Sequence, residues 1–147
     1  MKEMVYRNSR DCWIGDIRFS DTLAHGIYKG FQYWIINRGT HPCAYIEIPK
    51  EHEYFEKHYD EIPLDCHGGV TYSESDLVFH EYSPKYRCEV KTTIEDTWII
   101  GWDYAHLGDY YASYIGGSGM GDKKWRTEEI FNEIKYVVNQ LNGECIL

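Results

Sequence analysis

Two short segments hold most of the side chains able to do chemistry. His67-Gly68-Gly69-Val70-Thr71-Tyr72-Ser73 joins an imidazole to a double glycine, and Gly101-Trp102-Asp103-Tyr104-Ala105-His106-Leu107-Gly108-Asp109 sets another between two carboxylates. Histidine is the side chain most easily poised near neutral pH, and glycine lets a backbone turn sharply or a ligand approach closely. If His67 and His106 face one cavity, one imidazole can take a proton from a nucleophile while the other gives one to a leaving oxygen, as phosphodiester cleavage requires. Without turnover the same segments bind. His67, Gly68, Gly69, Thr71, Tyr72, Trp102, Asp103, His106 and Asp109 then offer hydrogen bonds, open backbone and aromatic faces to a small polar ligand. Asp103-x-x-His106-x-x-Asp109 also has the residue types of a metal site, which His67 could complete. No H-E-x-x-H helix accompanies it, and turn hydrogen bonds account for both aspartates. We therefore expect no bound metal.

Arg38, in Asn37-Arg38-Gly39-Thr40-His41, is the best anion contact, because a guanidinium at a strand end beside glycine can be held rigidly and grip a phosphate at two points. The run Gly116-Gly117-Ser118-Gly119-Met120-Gly121-Asp122 precedes a helix start, where amides can meet an anion. It is neither a P-loop, since Asp122 stands where lysine is required, nor a dinucleotide fingerprint, and a surface loop is its simpler reading. No cofactor is expected. His52 and His58 fall in a charged stretch and read as solvated, while His25, His41 and His80 have no supporting spacing.

The elements that must position these groups are partly legible. Tyr33–Asn37, Cys43–Ile48 closed by Pro49, and Trp98–Asp103 read as strands, the last too apolar for a sheet edge. Cys12–Phe19 alternates weakly, Lys50–Tyr59 reads as an exposed helical turn, and Val70–Tyr72 as a strand interrupted by a bulge. Thr127-Glu128-Glu129 opens a helix that places Ile130, Ile134, Val137, Val138 and Leu141 on one face and stops at Gly143. These elements predict a single α+β domain over residues 1–147, an antiparallel or mixed sheet covered by a C-terminal amphipathic helix.

A formal charge of −9 argues against general nucleic-acid binding, which needs a basic stripe. Fourteen Tyr and five Trp exceed what a small core requires and suggest base stacking, a tyrosine-rich sheet face or a homodimer interface. Five cysteines (Cys12, Cys43, Cys66, Cys88, Cys145) without a C-x-x-C pair point to free thiols in a reducing compartment. With no apolar signal region and no long apolar run, a soluble intracellular protein without membrane contact is expected.

Ala44–Pro49, Tyr59-Asp60, His67–Ser73, Trp98–Asp109 and the Trp125-Arg126-Thr127 helix ending at Gln140-Leu141 together resemble a widespread family of small proteins from tailed phages and prophages. The likeness covers about two thirds of the chain and rests on its two glycine-flanked motifs. It does not extend to Glu74–Asp96 or the glycine run, so it implies no shared role for Lys91, Lys123 or Lys124. What it does imply is a phage protein in the cytoplasm of an infected bacterium, with a shared pocket and no assigned activity. Small phage accessory proteins include ones that disable nucleotide immune signals. The expectation is thus sequestration of a nucleotide-derived ligand, such as a cyclic dinucleotide or cyclic ADP-ribose-like molecule. The alternatives are a hydrolase cleaving that ligand through His67 and His106, and an inhibitor that binds a host protein through tyrosines.

Overall fold

The computed structural model describes residues 21–38, 41–83, 85, 87–94, 96–106, 108–109 and 122–143. The weakly alternating Cys12–Phe19, the glycine run at 116–121, and Cys12 and Cys145 lie outside them. The described chain forms β1 (Asp21–Tyr28), β2 (Phe31–Asn37), β3 (Pro42–Glu47), a 3-10 turn (Tyr59–Glu61), β4 (Tyr72–Glu74), β5 (Leu77–Ser83), β6 (Cys88–Ile94), β7 (Ile99–Asp103) and α1 (Thr127–Leu141). Five strands make an antiparallel sheet in the order β1-β2-β3-β7-β4, and β5 with β6 forms a separate hairpin. The class is α+β, as expected, with the helix packed on β1, β2 and β3.

Local chemistry explains the elements. Lys29 and Gly30 both take positive φ, 48° and 86°, the two-residue turn whose twist matches a β-hairpin, and this turn folds β1 onto β2. β7 is flanked by β3 and β4, in keeping with its apolar sequence. Because side chains alternate across the sheet, Tyr33, Ile35, Ala44, Ile46, Ile100 and Trp102 join Ile130, Ile134, Val137, Val138 and Leu141 under the helix. Trp34, Ile36, Cys43, Tyr45 and Ile99 build a second core with Leu77 on the opposite face. Trp34, Trp102, Tyr33 and Tyr104 are fully buried, so the two cores absorb four of the aromatic side chains.

Three local expectations need correction. The helix starts one residue earlier than a Thr127 cap implies: Arg126 is the N-cap, and its backbone N–H donates to the Glu129 carboxylate at 3.0 Å. Residues 50–57 form successive turns, in keeping with the helical turn expected there, closed by His52 N–H to Pro49 C=O, Phe55 N–H to His52 C=O and Lys57 N–H to Tyr54 C=O. That stretch is less exposed than its charge suggests, since Tyr54 and Phe55 pack on the core. His52 is a peg, with Nε2 donating to the Leu141 carbonyl at 2.8 Å and Nδ1 accepting from Tyr54 N–H at 3.1 Å. Finally, no bulge interrupts Val70–Tyr72. Gly68 and Gly69, at φ 71° and 79°, make a turn before β4.

Gly101 is a close-approach glycine. It pairs with Tyr45 on one side and Tyr72 on the other, and the two rings meet edge to face at 5.2 Å. A Cβ at this position would stand 2.6 Å from Tyr45 Cδ1 and 2.7 Å from the Ala44 carbonyl oxygen. Urea denaturation of Gly101→Ala is expected to show a loss of about 1–3 kcal/mol, because the central ladder cannot move aside. An unchanged midpoint would show that the ring swings away freely.

Candidate functional site

Asp109 is the centre of the candidate site. Its Oδ2 accepts from His67 Nε2 at 2.7 Å and from the His106 backbone N–H at 3.0 Å, while Oδ1 accepts from the Trp125 indole N–H at 2.8 Å. One buried carboxylate therefore gathers the turn before β4, the segment after β7 and the approach to α1. Burial pushes its carboxyl upward, but the bonds from His67, His106 and Trp125 outweigh that and hold it below its ordinary value. Beside it, Lys123 N–H donates to the Gly108 carbonyl at 2.8 Å, in an isolated bridge between Asp109 and Lys123.

His67 is clasped from every side described. Its ring stacks on Tyr104 at 4.6 Å and 8°, and meets Trp125 edge-on at 4.9 Å. A polar stripe on α1 holds its turn from below. Glu133 accepts from His67 N–H at 2.8 Å, Tyr136 O–H donates to the Asp65 carboxylate at 2.7 Å, and the Gln140 amide bonds both the N–H and the C=O of Asp65. Residues 133, 136 and 140 recur at helical spacing, which is why one face can supply all three.

His106 approaches the same turn, its ring 5.4 Å from that of His67. Its Nε2 is shielded by Gly68, where any Cβ would overlap the imidazole. That nitrogen lies 3.2 Å from Asp103 Oδ1 yet lacks the alignment of a hydrogen bond. Asp103 turns toward the second face of the sheet, where Cys43, Tyr45, Thr71 and Tyr72 surround it in a groove of about 140 Å³. Burial pushes the Cys43 thiol up to about 12, so it stays protonated and is no nucleophile. Burial likewise raises the Tyr45 and Tyr104 hydroxyls.

The sequence-derived residues thus divide. His67, Gly68, His106 and Asp109 interlock, while Thr71, Tyr72 and Asp103 border the adjoining groove. Gly69 serves its turn, since nothing lies within 4 Å of a Cβ there. Trp102 also borders the groove, but it is 1% exposed and its indole N–H is committed to Tyr104 Oη at 3.0 Å. Arg38 lies at the end of β2, and its backbone N–H donates to the His41 carbonyl at 3.0 Å. Its Nε donates to Tyr45 Oη at 3.0 Å and its Nη1 to the Val78 carbonyl at 2.8 Å, so the guanidinium is held rigidly. Among the described residues, no three His, Cys, Asp or Glu side chains are grouped to hold a metal ion.

Sequence reasoning passed over Tyr104, Trp125, Glu133 and His41. The first three reach the site through tertiary packing and have no local signal. His41 follows the strand end that bears Arg38. Burial lowers its pKa, with Asp103 opposing and Arg38 and His106 adding to the effect, which places it in the field of the cluster. Both shifts act in one direction on stability. His41 contributes stability fully above its ordinary value of 6.5 and loses it as pH falls through the lowered value. Asp109 does the same below its ordinary 3.8. The melting temperature is therefore expected to fall in two steps, one as pH drops below 6.5 and one as it drops below 3.8, with Asp109→Asn abolishing the lower step. A single step unaffected by that variant would contradict the assignment.

No protein-family model, curated protein or solved structure matches the chain.

Proposed function

We propose that this chain is a phage accessory protein that binds and withholds a nucleotide-derived signal, such as a cyclic dinucleotide or cyclic ADP-ribose-like molecule, without cleaving it. The observation that carries the reading is the groove beside His106. There the Asp103 carboxylate, suited to ribose hydroxyls, stands beside the half-buried ring of Tyr72, an aromatic surface for a base. His106 adjoins the groove through the 3.2 Å approach of Nε2 to Asp103, and Arg38 lies behind Tyr45 as a phosphate contact. At about 140 Å³ the groove is smaller than a site that encloses a whole drug-sized ligand. It fits one ring of the signal, with the remainder in solvent.

Binding is favoured over hydrolysis because the Nε2 of His67 is already spent on Asp109 and its ring is stacked on Tyr104. The same Asp109–His67 pair supports the second reading, since a carboxylate that orients an imidazole is also how a general base is built. A melting screen against cyclic nucleotides, followed by mass analysis of recovered ligand, separates the two. We expect a raised melting temperature, an intact ligand, and loss of the shift in His106→Ala with an apo melting temperature close to wild type. A linearised product would establish the hydrolase, and no shift with any nucleotide would end both readings.

A further inference from the structure

A second pocket, at the far end of the sheet, has different chemistry. On β3, Glu47 pairs with Ile99, whereas Cys43 pairs with Asp103. Four residues of strand, roughly 13 Å, therefore separate the two ends. The cavity measures about 220 Å³, larger than the groove. Ile27, Ile48, Pro49 and Phe55 make its walls apolar, and Glu47 places a half-buried carboxylate among them. The partner of that carboxylate among the described residues is a neutral amide: Gln32 Nε2 donates to Glu47 Oε2 at 3.3 Å, while Gln32 Oε1 accepts from His25 Nε2 at 3.0 Å. Lys50 borders the cavity, yet no ion pair joins it to Glu47. Asp96 adds a second carboxylate at the border.

We propose that this pocket binds a small organic cation, an ammonium on a compact apolar body, with the charge on Glu47 and the body against Ile27, Ile48 and Phe55. A carboxylate already partly withdrawn from water gives a charge-assisted hydrogen bond more than an exposed one would. Phe55 adds an aromatic wall, which cations favour over other apolar surface. Gln32 holds the carboxylate in place by one oxygen, and an ammonium can take the other. The size suits a single ring or a short branched chain.

The test uses benzylammonium and its uncharged counterpart benzyl alcohol, titrated separately into isotopically labelled full-length protein at neutral pH while backbone amide shifts are followed. The expected result is saturable shifts at residues 27–32, 47–50 and 96–97, with benzylammonium bound about tenfold more tightly than the alcohol. Glu47→Gln should erase that preference and leave the alcohol's affinity unchanged. Equal affinities in the wild type, no saturable shift, or a preference that survives in folded Glu47→Gln would each overturn the proposal. Should that variant fail to fold, Lys50→Ala supplies the second arm. Removing the like charge at the cavity border should tighten benzylammonium alone, and an unchanged benzylammonium affinity there overturns the proposal as well.

Discussion

Replacing Asp109 with alanine is expected to cost about 3–5 kcal/mol of folding free energy, measured by urea denaturation. The side chain is 4% exposed and accepts from His67, His106 and Trp125. Its removal strips three donors at once, and each donor belongs to a different segment of the chain. Leaving buried donors unsatisfied is the expensive part, because the lost water contacts are not recovered. Asparagine keeps one carbonyl oxygen and one comparable volume, so Asp109→Asn should cost less than alanine. A loss below about 1 kcal/mol would mean that water replaces the carboxylate readily.

The second large effect belongs to the scaffold. Ile134 is fully buried at the middle of the helix face that covers β1, β2 and β3, and Ile134→Ala should cost about 2–5 kcal/mol through lost burial and the cavity left behind. The same helix bears Glu133, Tyr136 and Gln140, which grip the His67 turn, so loosening it should also weaken whatever the site binds. His106→Ala lacks this coupling, because the His106 side chain is about a third exposed and Asp109 is bonded by its backbone. A stability loss in His106→Ala as large as in Ile134→Ala would show that the imidazole is part of the scaffold.

What the sequence made legible follows from how local each signal is. β2, β3, β7 and the apolar face of α1 were readable because long runs of aliphatic and aromatic residues have few alternative homes. β1 was not, since His25 and Gly26 interrupt its pattern and its register shifts between Thr22 and Ala24. The β5–β6 hairpin was also passed over, and its strands pair only with one another. His67, Asp103, His106 and Asp109 were legible from residue type and spacing. The assignment of Asp109 was not, because only the fold shows that its oxygens are spent on His67, His106 and Trp125 instead of on a ligand. His52 was misread for a similar reason, since its acceptor, the Leu141 carbonyl, is 89 residues away.

The grip of α1 on the His67 turn has a consequence for the order of folding. The bonds from Glu133, Tyr136 and Gln140 reach back 66, 71 and 75 residues. Synthesis runs from the N-terminus, so the β1–β2–β3 meander can pair while the helix is still unmade. The His67 turn then lacks its helix anchors until α1 has been delivered. Closing contacts of such long separation is slow relative to forming the hairpins. The site is consequently assembled late, and refolding followed by pulsed hydrogen exchange should protect the amides of β2 and β3 before that of His67.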